Sequence, residues 1–192
     1  MKKLSITLSL WVIPLLISPI QIFSQVIIGD QVGTAADKAS VLLEFANTNN
    51  KGIIVPYVRT LPSSPTPGTL LLDASDPVQA RFKVYNQNTV TGTNGWFDLS
   101  GQNGSVTASL VVQPVGIAEA GAKKAIIGNA ASSVDGVLVL ESPDKAMVLP
   151  IVTDVNNIIN PSPGMMVYVN FSPTTKRLAV FNGSKWSFWQ AQ

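Results

Sequence analysis

The sequence predicts an all-β protein: two tandem, duplicated, small antiparallel β units placed after a cleaved export signal. Three observations carry this. Short apolar blocks recur in one order along the chain, turn formers are abundant (14 Gly, 13 Pro) while charges are few at 12%, and an apolar leader stands ahead of the first block. Val, Ile and Thr favour strands, and Gly, Pro and Asn punctuate them.

The leader comes first. Residues 1–24 begin with Lys2-Lys3, continue through an apolar run from Leu8 to Ile20 broken by Pro14 and Pro19, and reach Ser24 before Gln25. That pattern reads as a signal peptide. The run is short and proline-broken for a spanning helix, so no membrane span is expected once it is cleaved. The destination is outside the inner membrane: the extracellular space or cell surface, with the periplasm as the other compartment. The 13 basic residues fall to the number of acidic ones, 11, when Lys2 and Lys3 leave with the leader. A neutral chain gives no electrostatic footprint for nucleic acid.

The duplication sets the domain plan. Val26-Ile27-Ile28-Gly29-Asp30 returns as Ala125-Ile126-Ile127-Gly128-Asn129, and Leu42-Leu43-Glu44 as Val139-Leu140-Glu141. The Lys51-to-Pro56 block returns as Lys145 to Pro150, and Pro67-Gly68 as Pro163-Gly164. Phe82 to Asn86 with Trp96 returns as Leu178 to Asn182 with Trp186. Residues 25–100 form unit 1, 125–192 form unit 2, and 101–124 form a linker. Its Gly101-to-Ser105 tract reads as flexible, and Val106 to Val115 alternates weakly enough to suggest one more strand. Helix-tolerant stretches are brief, Ala35 to Ala46 and Ile117 to Lys124. With no cysteine to staple two small units, stability must come from packing the repeats together or from self-association.

Within each unit the elements follow from local pattern. Ala39 to Phe45 and Gly136 to Glu141 are expected to be buried. Gly52 to Val58 and Ala146 to Val152 read as strands covered on both faces, with Pro56 and Pro150 at a strand end, edge or bulge. Pro-Gly fits a type II turn. Alternation puts Phe82, Val84, Leu178 and Val180 on one face, and Tyr85 and Phe181 on the other. Asn182-Gly183 signals a type I′ hairpin, which unit 1 lengthens with Gln87 to Asn94.

The order Lys-Gly, apolar residues and Pro, then Pro-Gly, an apolar strand and Tyr-Asn-Gly-x-x-Trp resembles a repeat of exported proteins of Bacteroidetes-type bacteria and of phage-tail-fibre-like proteins. The resemblance spans about residues 36–100 and 134–189. It departs where Tyr57 and Ile151 follow the proline in place of arginine, and where Ala146 replaces glycine. It implies a cell-surface or extracellular β-repeat protein without enzymatic activity, structural or adhesive, and a trimer if the chain self-associates.

The chemistry agrees with that expectation. Without histidine or cysteine, most nucleophile–base pairs and transition-metal sites are unavailable. Ser184-Lys185, Lys51 and Lys145 are the remaining nucleophilic candidates, and recurrence at matched turns favours a structural role for the two lysines. Glu44 and Glu141 are expected to bond locally, and Asp73 and Asp76 to belong to an ordinary loop rather than a calcium site. No catalytic residue, metal ligand or cofactor is assigned. The aromatic residues Tyr85, Trp96, Trp186 and Trp189 are the candidate ligand-binding set, because flat rings stack on sugars. A small carbohydrate-binding module is therefore the alternative function, with a surface glycan or protein as partner. The competing reading makes the same rings the hydrophobic centre of each unit. Parity puts Trp186 and Phe188 on one face and leaves Trp189 as the ring expected outermost.

Overall fold

The computed structural model describes residues 25–47, 50–89, 92–115 and 124–189. The leader, and nearly all of the stretch Ile117 to Lys124, lie outside the described residues.

Unit 1 opens with β1 (Val26–Ile28) and β2 (Val41–Phe45), continues through β3 (Ile53–Ile54) and β4 (Tyr57–Val58), and closes with β5 (Leu70–Asp73), β6 (Arg81–Asn88) and β7 (Gly95–Asp98). Unit 2 repeats the order with β8 (Ala125–Ile127), β9 (Leu138–Leu140), β10 (Ala146–Val148), β11 (Ile151–Val152), β12 (Met165–Ser172), β13 (Thr175–Phe181) and β14 (Trp186–Trp189). The fold is all-β, and the pairing order β4-β5-β6-β7 recurs as β11-β12-β13-β14. The hairpins are antiparallel. Parallel ladders join β1 to β2, β4 to β5, β8 to β9 and β11 to β12.

Two ladders run between the repeats. β10 lies parallel to β2, and β3 lies antiparallel to β12. The cores follow suit. Phe82, Leu72, Val55 and Ala80 of unit 1 pack with Met166 and Val180 of unit 2 around Val106 and Leu110. On the other face of the second sheet, Met165, Val167, Val169 and Ala179 bury against Val152, Val155 and Ile158. Period-two alternation thus splits one strand between two cores, Met166 to one side and its neighbours to the other.

Several expectations are corrected. The Val106–Val115 stretch is no strand; Thr107–Val111 forms a short helix, α1, with only Leu110 buried. The Gly101-to-Ser105 tract is held in place, since Gly104 bridges Ala80 and Asn182 Nδ2 donates to Gln102 O at 2.7 Å. The runs Gly52 to Val58 and Ala146 to Val152 are each cut into two short strands. Pro56 and Pro150 have no N–H to donate, and Ile54 is 51% exposed. The tolerance for helix at Ala35 to Ala46 gives way to strand β2, whose Val41, Leu42 and Leu43 are buried. Gly68 and Gly164 do take the positive φ that their Pro-Gly turns require. At the last hairpin Gly183 has positive φ and Asn182 does not, which a type I′ turn at Asn182-Gly183 excludes. The Asn182 side chain explains the difference: its Oδ1 accepts from Ser184 N–H at 3.0 Å and Lys185 N–H at 2.9 Å.

Candidate functional site

The four aromatic candidates fall into two ring pairings within the hairpins, in which only Trp96 is fully buried, and one exposed ring that reaches across to the other repeat. Trp96, 6% exposed, stands opposite Tyr85 on the β6–β7 ladder, with ring centroids 5.2 Å apart. Trp186 repeats the arrangement on Phe181, again at 5.2 Å, at the margin of the second core. Trp96 therefore removes a large apolar area from water, while Tyr85 and Trp186 are half-buried beside their partners.

Trp189 differs. Its ring meets Phe97 of the first repeat edge-on at 5.4 Å, and its Nε1–H donates to Leu99 O at 2.6 Å. Trp189 stays 39% exposed, Phe97 43% and Phe188 45%. Trp189 is exposed, as parity suggests, but it is not the outermost ring, since Phe97 and Phe188 are more exposed. The exposure of Phe97 and Phe188 was not legible in the sequence, because the alternation signal says which side a ring faces and not what covers it.

Polar contacts extend this seam. Ser187 Oγ donates to Ser100 O at 2.5 Å, and Gln102 Nε2 donates to Ser187 Oγ at 3.2 Å. Ser105 N–H donates to the Ser184 hydroxyl at 3.0 Å. Ser184 is thus a seam residue, and the neighbouring Lys185 is exposed.

The carboxylates are the second feature. Glu44 is fully buried inside β2. It accepts from the Thr34 amide, from Ala35 N–H at 2.6 Å, from Lys38 Nζ at 2.6 Å and from Gln25 Nε2 at 2.9 Å. Burial alone would raise its pKa. The Lys38 hydrogen bond and the two amides outweigh burial and lower the pKa to about 2. The carboxylate is a clamp for the loop above it, with no lone pair directed at solvent. Glu141 accepts from the Ser132 hydroxyl and from Asn129 Nδ2 at 3.2 Å. It lines a surface groove of about 320 Å³ with Gly128, Asn129, Ser142 and Pro143.

The remaining candidates are structural. Asp73 accepts from Lys83 Nζ at 2.7 Å and from the Ser75 hydroxyl at 2.6 Å. Burial pushes its pKa up, but these hydrogen bonds and the Lys83 charge hold it below the usual value. Asp76 accepts from Val78 N–H and Gln79 Nε2 within its own turn. Among the described residues, no group of three or more acidic side chains gathers as a metal site. Lys51 is exposed at the start of β3, and no helix among the described residues is long and apolar enough to cross a membrane.

Residues 126–191 match the family model of a phage tail like trimerisation region, a span holding nearly all of unit 2. No curated protein and no solved structure matches the chain. The second repeat is thus similar to a tail-like trimerisation region, in agreement with the tail-fibre resemblance of its motifs.

Proposed function

We propose that the chain is a non-catalytic, exported β-repeat module that self-associates as a homotrimer and serves a structural or adhesive role at the cell surface or outside the cell. The similarity of residues 126–191 to a trimerisation region carries this reading. The surface supports it. Ile159, Val112, Val111 and Phe171 are each more than two-thirds exposed, at 86%, 82%, 81% and 69%. Val111 and Val112, adjacent at the end of α1, form an exposed apolar pair that association would cover. The charge-poor composition leaves few groups to keep them apart in water. Light scattering on the purified protein tests it: a mass of three chains is expected, and a mass of one chain would defeat it. Fractionation of the native host, with surface-protease accessibility, tests the location.

One observation favours a second reading. Phe97 and Trp189 lie partly exposed at the rim of one sheet-to-sheet seam, and such a rim offers a stacking face to a sugar ring. A glycan array repeated with Trp189→Ala separates the two. Binding lost on truncation supports carbohydrate recognition; a blank array beside a trimeric mass supports the structural role alone.

A further inference from the structure

The two repeats are unequally completed. β2 has β1 on one edge and β10 on the other, whereas β9 has only β8. Val137 O accepts from Ala125 N–H, and Glu141 N–H donates to Ile127 O. Alternation along a parallel ladder then turns the amides and carbonyls of Leu138 and Leu140 to the opposite edge. Among the described residues no strand lies there. Leu138 is 48% exposed and Val137 62%. An open strand edge is a template for another strand.

The chain itself shows what such an edge takes. The matching edge of β2 is filled, in parallel, by the strand that follows Lys145. The equivalent strand of unit 1 is β3, which follows Lys51. β3 uses one edge on β12, where Val55 N–H donates to Gly164 O. Alternation leaves the backbone groups of Gly52 and Ile54 on the other edge. Those two residues are the sequence equivalents of Ala146 and Val148, the flanks of Met147, which pairs with Leu43 on β2. Within one chain β3 and β9 do not pair.

We infer that β3 of one molecule joins β9 of a second copy as its third, parallel strand, reproducing between chains the ladder that β10 and β2 form within one. This rests on the self-association proposed above and names its contact. Charge fits the register. A parallel strand brings the N-terminal ends of both elements together, so Lys51 meets Asp135. Both are exposed, and neither forms an ion pair among the described residues. The contact is head-to-tail, giving each chain one donating and one accepting edge. It closes into a ring if the rotation permits and extends as a fibre if it does not.

Because the chain has no cysteine, a Lys51→Cys, Asp135→Cys variant reports the contact directly. Mild oxidation is expected to give reducible species of two and three chains, while each single-cysteine variant stays uncrosslinked. Lys51→Asp is expected to weaken association by roughly fivefold to tenfold, and Asp135→Lys in the same chain to restore it. An oligomeric wild-type mass with no crosslink in the double-cysteine variant overturns the strand pairing and leaves self-association standing. A single-chain mass overturns both. Failure of Asp135→Lys to restore the Lys51→Asp variant also counts against the pairing.

Discussion

The loop over β2 and the loop over β9 descend from one motif, and they close in different ways. Residues 29–40 separate β1 from β2, while residues 128–137, two fewer, separate β8 from β9. The ladders record the difference. Ile28 stands opposite Phe45, but its equivalent Ile127 stands opposite Leu140, the sequence counterpart of Leu43. The shorter loop has drawn the second strand along by two residues. An even slip keeps every side chain on its face, so the apolar pattern tolerates it. The glutamate does not escape its effect. Glu44 remains inside β2 beneath its loop, with Lys38 and two amides bound to it. Glu141 falls just past the end of β9, where a hydroxyl and a side-chain amide are its partners. The nearby Lys124 is spent on the carbonyls of Ser132 and Val134. The acid is the same in both repeats but the loop above it differs, in length and in carrying Lys38 where the shorter loop has Asp135, and that difference makes the position a buried ion pair in one and a half-exposed polar contact in the other.

The largest expected effect comes from the glycine that each loop starts on. Both need positive φ, at +105° for Gly29 and +100° for Gly128. Their surroundings differ. A Cβ on Gly29 would lie 2.9 Å from the Ala46 methyl, whereas one on Gly128 would lie 2.1 Å from Glu141 O. The second obstacle is main chain, fixed by the same slip. Gly128→Ala is expected to cost about 3–4 kcal/mol and Gly29→Ala about 1–2 kcal/mol, the milder case combining positive-φ strain with a small shift at Ala46. Paired urea titrations would check the ranking. Equal losses would mean that the β9 loop yields as easily as the β2 loop.

Next is the clamp itself. Glu44→Ala leaves Lys38 and the Thr34 and Ala35 amides without their acceptor, and is expected to cost about 2–3 kcal/mol. Its pH signature has a definite sign. The folded pKa, about 2, lies below the ordinary 4.5. The contribution of Glu44 is therefore present in full above pH 4.5 and lost as pH falls from there toward 2. Thermal melts across that window should fall steeply for the wild type and more shallowly for Glu44→Ala. Parallel slopes would show that another carboxylate governs acid unfolding.

Much of this was legible in the sequence, and what was not shares one cause. The paired blocks marked the strands, the Pro-Gly turns and the aromatic pairings Tyr85–Trp96 and Phe181–Trp186, because those depend on residues close together along the chain. Pro56 and Pro150 marked the breaks in the apolar runs. The ladders between repeats, β2 with β10 and β3 with β12, left no local trace. Nor did the burial of Val106 and Leu110, whose weak alternation suggested a strand while the helix that begins after Val106 and contains Leu110 is held by a core drawn from both repeats. Of the aromatic candidates, the chain's pattern could name the rings and their faces. Only the assembled seam distinguishes Trp96, sealed within its own hairpin, from Trp189, which reaches across to Phe97 and Leu99.

The smallest effect is the most discriminating for the role of loop length. Glu141→Gln keeps the size of the side chain and an oxygen for the Ser132 hydroxyl, and gives up only the exposed 3.2 Å contact from Asn129 Nδ2, so it is expected to change stability by less than about 0.5 kcal/mol. Inserting two residues between Asp135 and Gly136 should reverse that indifference. It would restore the longer spacing, let β9 slide back by two residues, and carry Glu141 from the strand end to a position under its loop. In that background Glu141→Gln would strip the charge from a buried carboxylate and cost more than it does in the parent. A difference near zero between the two backgrounds would show that the β9 register is held by Val139 and its packing, and not by the length of the loop before it.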